Sequence, residues 1–412
     1  MDDISNPRIE PTFTPPPDMT EQRYPFTFSG KGGEYFGIWI VNIVLSIITL
    51  GIYSAWAKVR RLQYFHRHTQ VVGSSFDFHG RPIDILKGRL IAFAAYAAYF
   101  GLTHVSVVAA LILALVLFAV IPFFAYKSLR FRLHNTSWRQ VRFRFLGKVP
   151  GAYGAFFGWP IAAYVSLTAL LPLAHHQINT YTLGNSSLGT TTAKFKATIA
   201  SFYKVYLKTF GLFLLYCAAV GLLAWLVISK SSFDMKSMFS KAVAESVEVS
   251  KTETAADPDE AEEDSEKATK AGESGSDSSD RTDTVGKLAL AGAIMPIVVL
   301  GLYLGAFLLI GPYFSARMNN VIWNGVALGP MRFESTLSAR KLTFISITNF
   351  LGIVFSLGFY KPFAAVRIAK YRADCLKLVA AGPIAVHLQA IAGNVNARGE
   401  EMADMFDVDI GL

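Results

Sequence analysis

The sequence predicts an all-helical polytopic membrane protein with about seven transmembrane helices, internal duplication and short β-hairpins at the membrane surface. Two observations predict this fold class. First, the 412 residues are 52% hydrophobic and only 17% charged, with a mean hydropathy of +0.36, whereas soluble domains carry about 25% charged residues. Second, several apolar runs are about 20 residues long, enough to cross a hydrocarbon core about 30 Å thick.

A stretch near the start of the chain, 42–64, recurs near its end, at 349–371. Both copies begin with an asparagine, and after seven further residues they read Leu-Gly-x-Tyr, where x is Ile or Phe. The sequence Ala-x-Val-Arg follows in both. This shared spacing predicts an internal duplication. In both copies an apolar run meets a basic helical stretch, which is typical of the cytoplasmic end of a membrane span.

The apolar runs place seven spans between five basic motifs. The expected spans are 35–56, 86–101, 105–125, 151–173, 206–229, 287–312 and 342–361. The motifs are A (58–89), B (127–148), C (174–208), D (313–341) and E (362–412). Each motif is expected to hold a helical end and a short β-hairpin, with Asn324-Gly325 as the turn of motif D, because Asn-Gly between apolar residues favours a type I′ turn. Motifs A, B and E are richer in Lys and Arg than C and D, which predicts the first three on the cytoplasmic side and the other two opposite.

The fourth span leaves two topologies open. If it crosses, two units of three spans are inverted relative to one another, a plan found in transporters. Gly151, Gly154, Gly158 and Pro160 could instead break it. A re-entrant segment there would move C, D and E to the other side of the membrane.

Composition divides the chain into five regions. In chain order they are a disordered polar tail (1–33), a first membrane region (34–233), an acidic disordered linker (234–284), a second membrane region (285–380) and a C-terminal tail (381–412). The linker is rich in Ser, Glu and Asp and cannot bury a core. It is either a solvated spacer or a lid on the basic hairpins. No cleavable signal peptide is expected, and the linker and C-terminus are expected to be cytoplasmic.

Polar side chains recur at matched positions in the two duplicated stretches. Asn42 and Asn349 lie within apolar runs, and Thr49 and Ser356 follow two turns later. An amide surrounded by hydrocarbon needs a hydrogen-bond partner. These four residues therefore either fix helix packing or line a polar path for a neutral or anionic solute.

Basic side chains gather where the duplicated spans end. They either snorkel to the membrane surface and set topology, or contact anionic lipid headgroups or an anionic solute. The residues are Lys58, Arg60, Arg61, Lys361 and Arg367.

Several kinds of chemistry find little support in the sequence. Between Glu34 and the C-terminal tail, and outside the linker, four acidic residues remain, and none lies within an apolar run: Asp77, Asp84, Glu334 and Asp374. This argues against a carboxylate proton relay. His175 and His176 do not share a helix face, and two cysteines form no cluster, so no metal or other cofactor is expected. The sequence contains no nucleophile–base motif, so it does not predict an enzyme. No nucleic-acid partner is expected. Transport or a channel is the leading function; the alternative is a non-transporting envelope protein that binds anionic lipids or scaffolds partners.

Specific motifs add a resemblance to a known family. They are Phe28-x-Gly30, the stretch 49–60 (TLGIYSAWAKVR), Phe76-x-Phe78-x-Gly80 and the stretch 357–367 (LGFYKPFAAVR). On these motifs the chain resembles the YjgN family (DUF898), bacterial inner-membrane proteins of uncharacterised function. The resemblance implies a multi-pass inner-membrane location. It supplies no substrate and no catalytic residues.

Overall fold

The structure, a computed structural model, describes residues 21–230, 296 and 299–381. The expected acidic linker, 234–284, and most of both tails lie outside the described residues. The chain divides into two compact units. The first comprises 1–208 and 312–412, and the second comprises 209–311; each is described by itself.

Helices make up most of the described chain. They are α1 (Gly32–Ile48), α2 (Ser54–His68), α3 (Pro82–Val105), α4 (Val107–His134), α5 (Val149–Tyr153), α6 (Trp159–Val165), α7 (Leu171–Gly184), α8 (Ile199–Lys230), α9 (Val299–Asn324), α10 (Ala339–Phe355) and α11 (Lys361–Asp374). A π-helical turn, Gly154–Gly158, joins α5 to α6, and a second one, Ala306–Ile310, lies within α9.

The strands of the first unit form a single antiparallel sheet. They are β1 (Glu21–Pro25), β2 (Thr27–Phe28), β3 (Thr69–Val71), β4 (Ser74–Phe78), β5 (Thr136–Trp138), β6 (Val141–Phe145), β7 (Ser186–Leu188), β8 (Thr191–Phe195), β9 (Val326–Leu328), β10 (Met331–Ser335) and β11 (Leu376–Ala381). β1 pairs with β11 and β2 pairs with β3. Because only Phe26 separates β1 from β2, the sheet nearly closes into a ring, which we call the strand ring. Residues 21–28 supply its closing segment; they lie in the tail expected to be mostly disordered, of which the sequence left only 24–28 able to fold locally.

The strand ring corrects the predicted fold class. The prediction of an all-helical protein with about seven transmembrane helices is wrong, because the described residues contain an eleven-stranded sheet and four helices long and apolar enough to cross a membrane. These four are α3, α4, the segment Ile199–Leu223 of α8, and α9. The apolar runs at 35–56, 151–173 and 342–361 are instead shorter helices that turn back, a distinction that hydropathy does not make.

We call these three elements the half-length hairpins: α1 with α2, α5 and α6 with α7, and α10 with α11. The first arms α1 and α10 have 17 residues each, about 25 Å at 1.5 Å per residue. At the tips the backbone of Leu50, Leu167 and Leu357 is left-handed, with φ of 50°, 50° and 51°. The next residue also has positive φ in each hairpin. Two consecutive left-handed residues reverse the chain, so each hairpin returns to the strand ring.

Antiparallel pairing fixes where the helices leave the strand ring. Each two-residue turn, such as Arg139-Gln140 between β5 and β6, lies at one edge, and the helices join the strands at the other edge. The strands of motifs A to E therefore belong to one sheet, and the inverted three-span units are wrong because 35–56 and 151–173 are not full-length spans. The placement of C and D across the membrane from A and B stays a prediction, which a single sheet does not favour. Asn324 is also not a turn residue. It ends α9, and its Oδ1 accepts the backbone N–H of Ser335 at 2.6 Å.

The inside of the strand ring is filled by a repeating set of apolar side chains. The central residue of the second strand in each hairpin points inward and pairs with the third residue of the strand that follows it. The pairs are Phe76 with Trp138, Phe143 with Leu188, Ala193 with Leu328, and Phe333 with Leu378. These residues belong to one cluster with Phe26. The same register in successive hairpins makes the ring a packed core.

A tyrosine closes the base of each half-length hairpin. The hydroxyls of Tyr64, Tyr181 and Tyr371 donate to backbone carbonyls 33 residues earlier in the chain. The oxygen–oxygen distances are 2.9 Å to Lys31, 2.9 Å to Lys148 and 3.2 Å to Ser338. The three hairpins are therefore built alike where they join the strands.

The second unit contains the apolar parts of α8 and α9. The Tyr216 hydroxyl donates to the Gly301 carbonyl at 2.9 Å and joins the two helices. Large side chains such as Leu215 and Phe307 are exposed. Exposed apolar side chains on long helices are typical of surfaces that face lipid.

Candidate anion-binding groove

An open groove of about 730 Å³ lies between α1, α2, α3 and α11. It forms where α1 packs against α11. The ring of Phe36 lies 5.7 Å from that of Phe363, and Trp39 meets Phe359 edge-on at 6.4 Å. The first and last half-length hairpins, which carry the two similar stretches 42–64 and 349–371, therefore lie side by side and share the groove.

Four cationic side chains from three helices line the groove. Lys58 and Arg61 come from α2, Arg89 from α3 and Lys361 from α11. The lining includes no acidic side chain, and across residues 21–230 and 299–381 no ion pair involves any of these four. Arg89 donates to the Ser54 hydroxyl. Uncompensated positive charge from separate helices suits an anion.

Polar and apolar groups share the remaining walls. Asn42 and Ser46 of α1 and Ser54 of α2 line the groove, together with the apolar Ile43 and Ile47. Asn42 is 8% exposed, and its Oδ1 is buried without a hydrogen-bond partner in the part of the chain that the structure describes. A ligand that combines an anionic group with an apolar part matches this lining.

The equivalent asparagine of the last hairpin has a different environment. Arg367 donates through Nη1 to Asn349 Oδ1 at 3.3 Å and to Thr348 Oγ1 at 2.8 Å. In the first hairpin the equivalent arginine, Arg60, lies over the ring of Tyr53 at 5.7 Å from its centroid. Asn349, Arg367 and Arg60 are therefore not among the groove's lining residues. The sequence predicted Asn349 to fix helix packing or line a polar path, and the two arginines to set topology or contact an anion.

Thr49 and Ser356 stabilise the hairpin tips. Thr49 Oγ1 accepts the backbone N–H of Tyr53 at 2.9 Å, and Ser356 Oγ accepts that of Tyr360 at 2.8 Å. In the middle hairpin the Ser166 hydroxyl accepts the N–H of Leu170 at 3.1 Å. These hydroxyls stabilise the reversal of the chain and do not line the groove.

Of the predicted residues, the structure brings four into the groove: Asn42, Lys58, Arg61 and Lys361. Sequence reasoning missed Arg89 and Trp39 as groove residues. Arg89 is the last residue of basic motif A, so its charge was visible in the sequence. Its position beside α2 depends on how α3 leaves β4, which no local pattern specifies.

The histidines act as packing residues. His175 Nδ1 lies 3.1 Å from the Tyr206 hydroxyl, and His176 Nε2 lies 2.9 Å from the Ala197 carbonyl oxygen. Among the described residues no three His, Cys, Asp or Glu side chains are close enough together to hold a metal ion.

Comparison with known proteins places the chain in a family. The inner membrane protein YjgN of Salmonella typhimurium is 32% identical over 145 residues, 35% of this chain and 37% of that protein. The inner membrane protein YjgN of Escherichia coli strain K12 is 30% identical over 156 residues, 36% of this chain and 38% of that protein. The chain thus aligns with well under half the length of these relatives, and no solved structure matches it. The family described as bacterial protein of unknown function (DUF898) matches residues 23–405, nearly the whole chain, and the protein belongs to this family.

Proposed function

We propose that this is a multi-pass inner-membrane protein whose groove binds the anionic headgroup of a membrane phospholipid. The names of its relatives and the four candidate spans within the described residues support the location. The groove supports the ligand class. This is a binding function, and it assigns no catalytic step to the chain. Transport of a small neutral or anionic solute stays a prediction.

Charge distribution supports one orientation. Basic residues are concentrated in and near the strand ring, as in Arg142, Arg144, Lys194 and Lys196, while the apolar parts of the candidate spans carry almost none. Under the positive-inside rule the strand ring is cytoplasmic, together with β11. The acidic linker 234–284 lies outside the described residues, so its cytoplasmic location and its role as a lid stay predictions.

The observation that carries the proposal is the set of four cations that line one groove, with no acidic side chain among its described lining residues. Each Lys or Arg near an anionic membrane surface contributes about 1 kcal/mol to lipid binding. The adjoining wall of Ile43, Ile47 and Pro362 suits the glycerol and first methylenes of a lipid better than it suits a fully hydrated ion. An anionic phospholipid satisfies both parts of the groove.

Two neighbouring arginines provide a matched test. Arg61 lines the groove, whereas Arg60 stacks on Tyr53. Native mass spectrometry of the purified full chain measures binding of phosphatidylglycerol and of zwitterionic phosphatidylcholine. We expect the anionic lipid to bind more tightly, and Arg61→Gln to weaken that binding about fivefold, the effect of losing about 1 kcal/mol. Arg60→Gln is expected to leave it nearly unchanged.

Two outcomes would contradict the proposal. One is equal affinity of the wild-type protein for the two lipids. The other is an equal loss of affinity in Arg61→Gln and Arg60→Gln, since the binding charge would then be spread over the surface and not placed in the groove.

A further inference from the structure

The cations of the groove lie at different distances from the strand ring. Arg61 lies seven residues before the end of α2, and Arg89 lies seven residues after the start of α3. At 1.5 Å per residue both are about 10 Å from the strands. Lys361 is the first residue of α11 and Asp374 is its last, which places Lys361 about 20 Å from the strands. Lys58, one turn before Arg61, lies between these levels.

Polar groups on the facing helix follow the same direction. Asn42 and Ser46 are one turn apart on α1, and Ser54 opens α2 near the hairpin tip. Polar side chains and cations therefore continue along the groove from the base of the hairpin toward its tip. The tips themselves are apolar and exposed, as Leu50 and Leu357 are at 95% and 90%.

This depth exceeds what a surface headgroup site requires. If the hydrocarbon core begins near the strand ring, its midplane is about 15 Å away, and a phosphate held at Lys361, about 20 Å from the strands, lies within the core and not in the headgroup layer. A phosphate in hydrocarbon would be strongly unfavourable without charged and hydrogen-bonding partners. Lys58, Lys361 and the serines supply such partners at successive depths, and an open groove leaves the acyl chains in the surrounding lipid.

We infer that the groove moves the headgroup of an anionic phospholipid into and across the hydrocarbon core, so that the protein exchanges such lipids between the two leaflets. This inference rests on the proposed headgroup binding. Arg61 and Arg89 receive the headgroup, and Lys58 and Lys361 hold it at depth. The lipid moves down its own gradient, and no bond is made or broken.

The test uses vesicles that contain the purified full chain and phosphatidylglycerol labelled on an acyl chain with a dithionite-sensitive fluorophore. Dithionite quenches only the outer leaflet unless lipid is exchanged. We expect the wild-type protein to expose the inner-leaflet pool, faster for labelled phosphatidylglycerol than for labelled phosphatidylcholine. Lys361→Leu is expected to slow the exchange at least about fivefold, and Lys361→Arg to restore it. Lys370→Leu is the matched control, since Lys370 is an exposed lysine on the same helix outside the groove.

The outcomes separate this inference from the binding proposal. Wild-type protein that binds phosphatidylglycerol in mass spectrometry but exchanges it no faster than protein-free vesicles overturns the inference and leaves the binding proposal standing. Exchange by Lys361→Leu at the wild-type rate also overturns it. Failure to bind phosphatidylglycerol over phosphatidylcholine removes the binding proposal itself, and the inference falls with it.

Discussion

Gly80→Ala tests the packing that joins the strand ring to the helices. Gly80 follows β4, where Phe78 is only 1% exposed. A Cβ atom at Gly80 would lie 2.6 Å from two atoms of the Phe78 ring and 3.3 Å from the Phe131 ring. Carbon atoms in contact are normally 3.5–4.0 Å apart. Because Phe78 is fully buried, its ring has no free space into which it can move.

The expected cost follows from this overlap. Overpacking a core site costs about 1–3 kcal/mol, and the lower unfolded-state entropy of alanine offsets up to about 1 kcal/mol of that. We therefore expect Gly80→Ala to reduce the free energy of unfolding by about 1–2 kcal/mol. The same geometry recurs at Gly30 and Gly147, where the Cβ would lie 2.7 Å and 2.5 Å from the rings of Phe28 and Phe145.

Thermal unfolding of the purified protein in detergent measures the effect. Gly33→Ala is the control, because a Cβ at Gly33 meets no atom within 4 Å, and alanine in a helix is favoured over glycine by up to about 1 kcal/mol. The double variant Phe78→Leu/Gly80→Ala should be more stable than the sum of the single effects predicts. If Gly80→Ala is as stable as Gly33→Ala, the packing described here is incorrect.

Three further predictions concern the hairpin tips, acid stability and ring closure. Leu357→Asp places a charge at an exposed apolar tip. If the tip lies in hydrocarbon, the charge should make insertion less favourable by about 2.5–3.5 kcal/mol and lower the yield of membrane-inserted protein. An unchanged yield would place the tip in water. Burial acts to raise the pKa of Asp77, but the bond from Arg67 at 2.8 Å and other donors outweigh it, so the pKa lies below its usual 3.8. The stability from this pair is present at neutral pH and lost as the pH falls below about 4, so melting curves of Asp77→Asn should show less acid destabilisation than those of the wild type. Phe26→Ala should lower the free energy of unfolding by about 3–5 kcal/mol in the same assay, because Phe26 is 7% exposed at the closing point of the ring. The control, Arg332→Gln, breaks an exposed ion pair and should cost at most about 1 kcal/mol. Equal costs would show that the ring is not closed there.

The sequence predicted the local elements better than their long-range arrangement. The long apolar helices α3, α4, α8 and α9 overlap four of the expected spans because their composition alone indicates them. The half-length hairpins were mistaken for spans, since a 17-residue apolar helix followed by a basic one has the hydropathy of a span and its cytoplasmic flank. What distinguishes them is a pair of left-handed residues, such as Leu357 and Gly358. Leucine at positive φ has no sequence signature.

Local sequence patterns also could not predict that the strands form a single sheet. Strands of three to five residues, such as β5 and β6, suggest isolated hairpins, and their pairing with strands many residues away is visible only after folding. The same limit applies to the groove. Lys58, Arg61 and Lys361 were selected because they are basic residues at the ends of apolar runs, but only the packing of α1 against α11 separates them from Arg60 and Arg367.

The sidedness of two hairpin turns tests the central claim that the strand ring lies on one side of the membrane. Gln140, in the turn between β5 and β6, and Thr190, between β7 and β8, are both exposed. After replacement of Cys217 and Cys375, Gln140→Cys and Thr190→Cys are labelled separately with a membrane-impermeant thiol reagent in intact and in lysed spheroplasts. The strand ring predicts that the two cysteines behave alike, and its proposed cytoplasmic orientation predicts that both are protected in intact spheroplasts and labelled after lysis. Labelling of one cysteine and protection of the other in intact spheroplasts would contradict the ring and restore a topology in which the motifs alternate across the membrane.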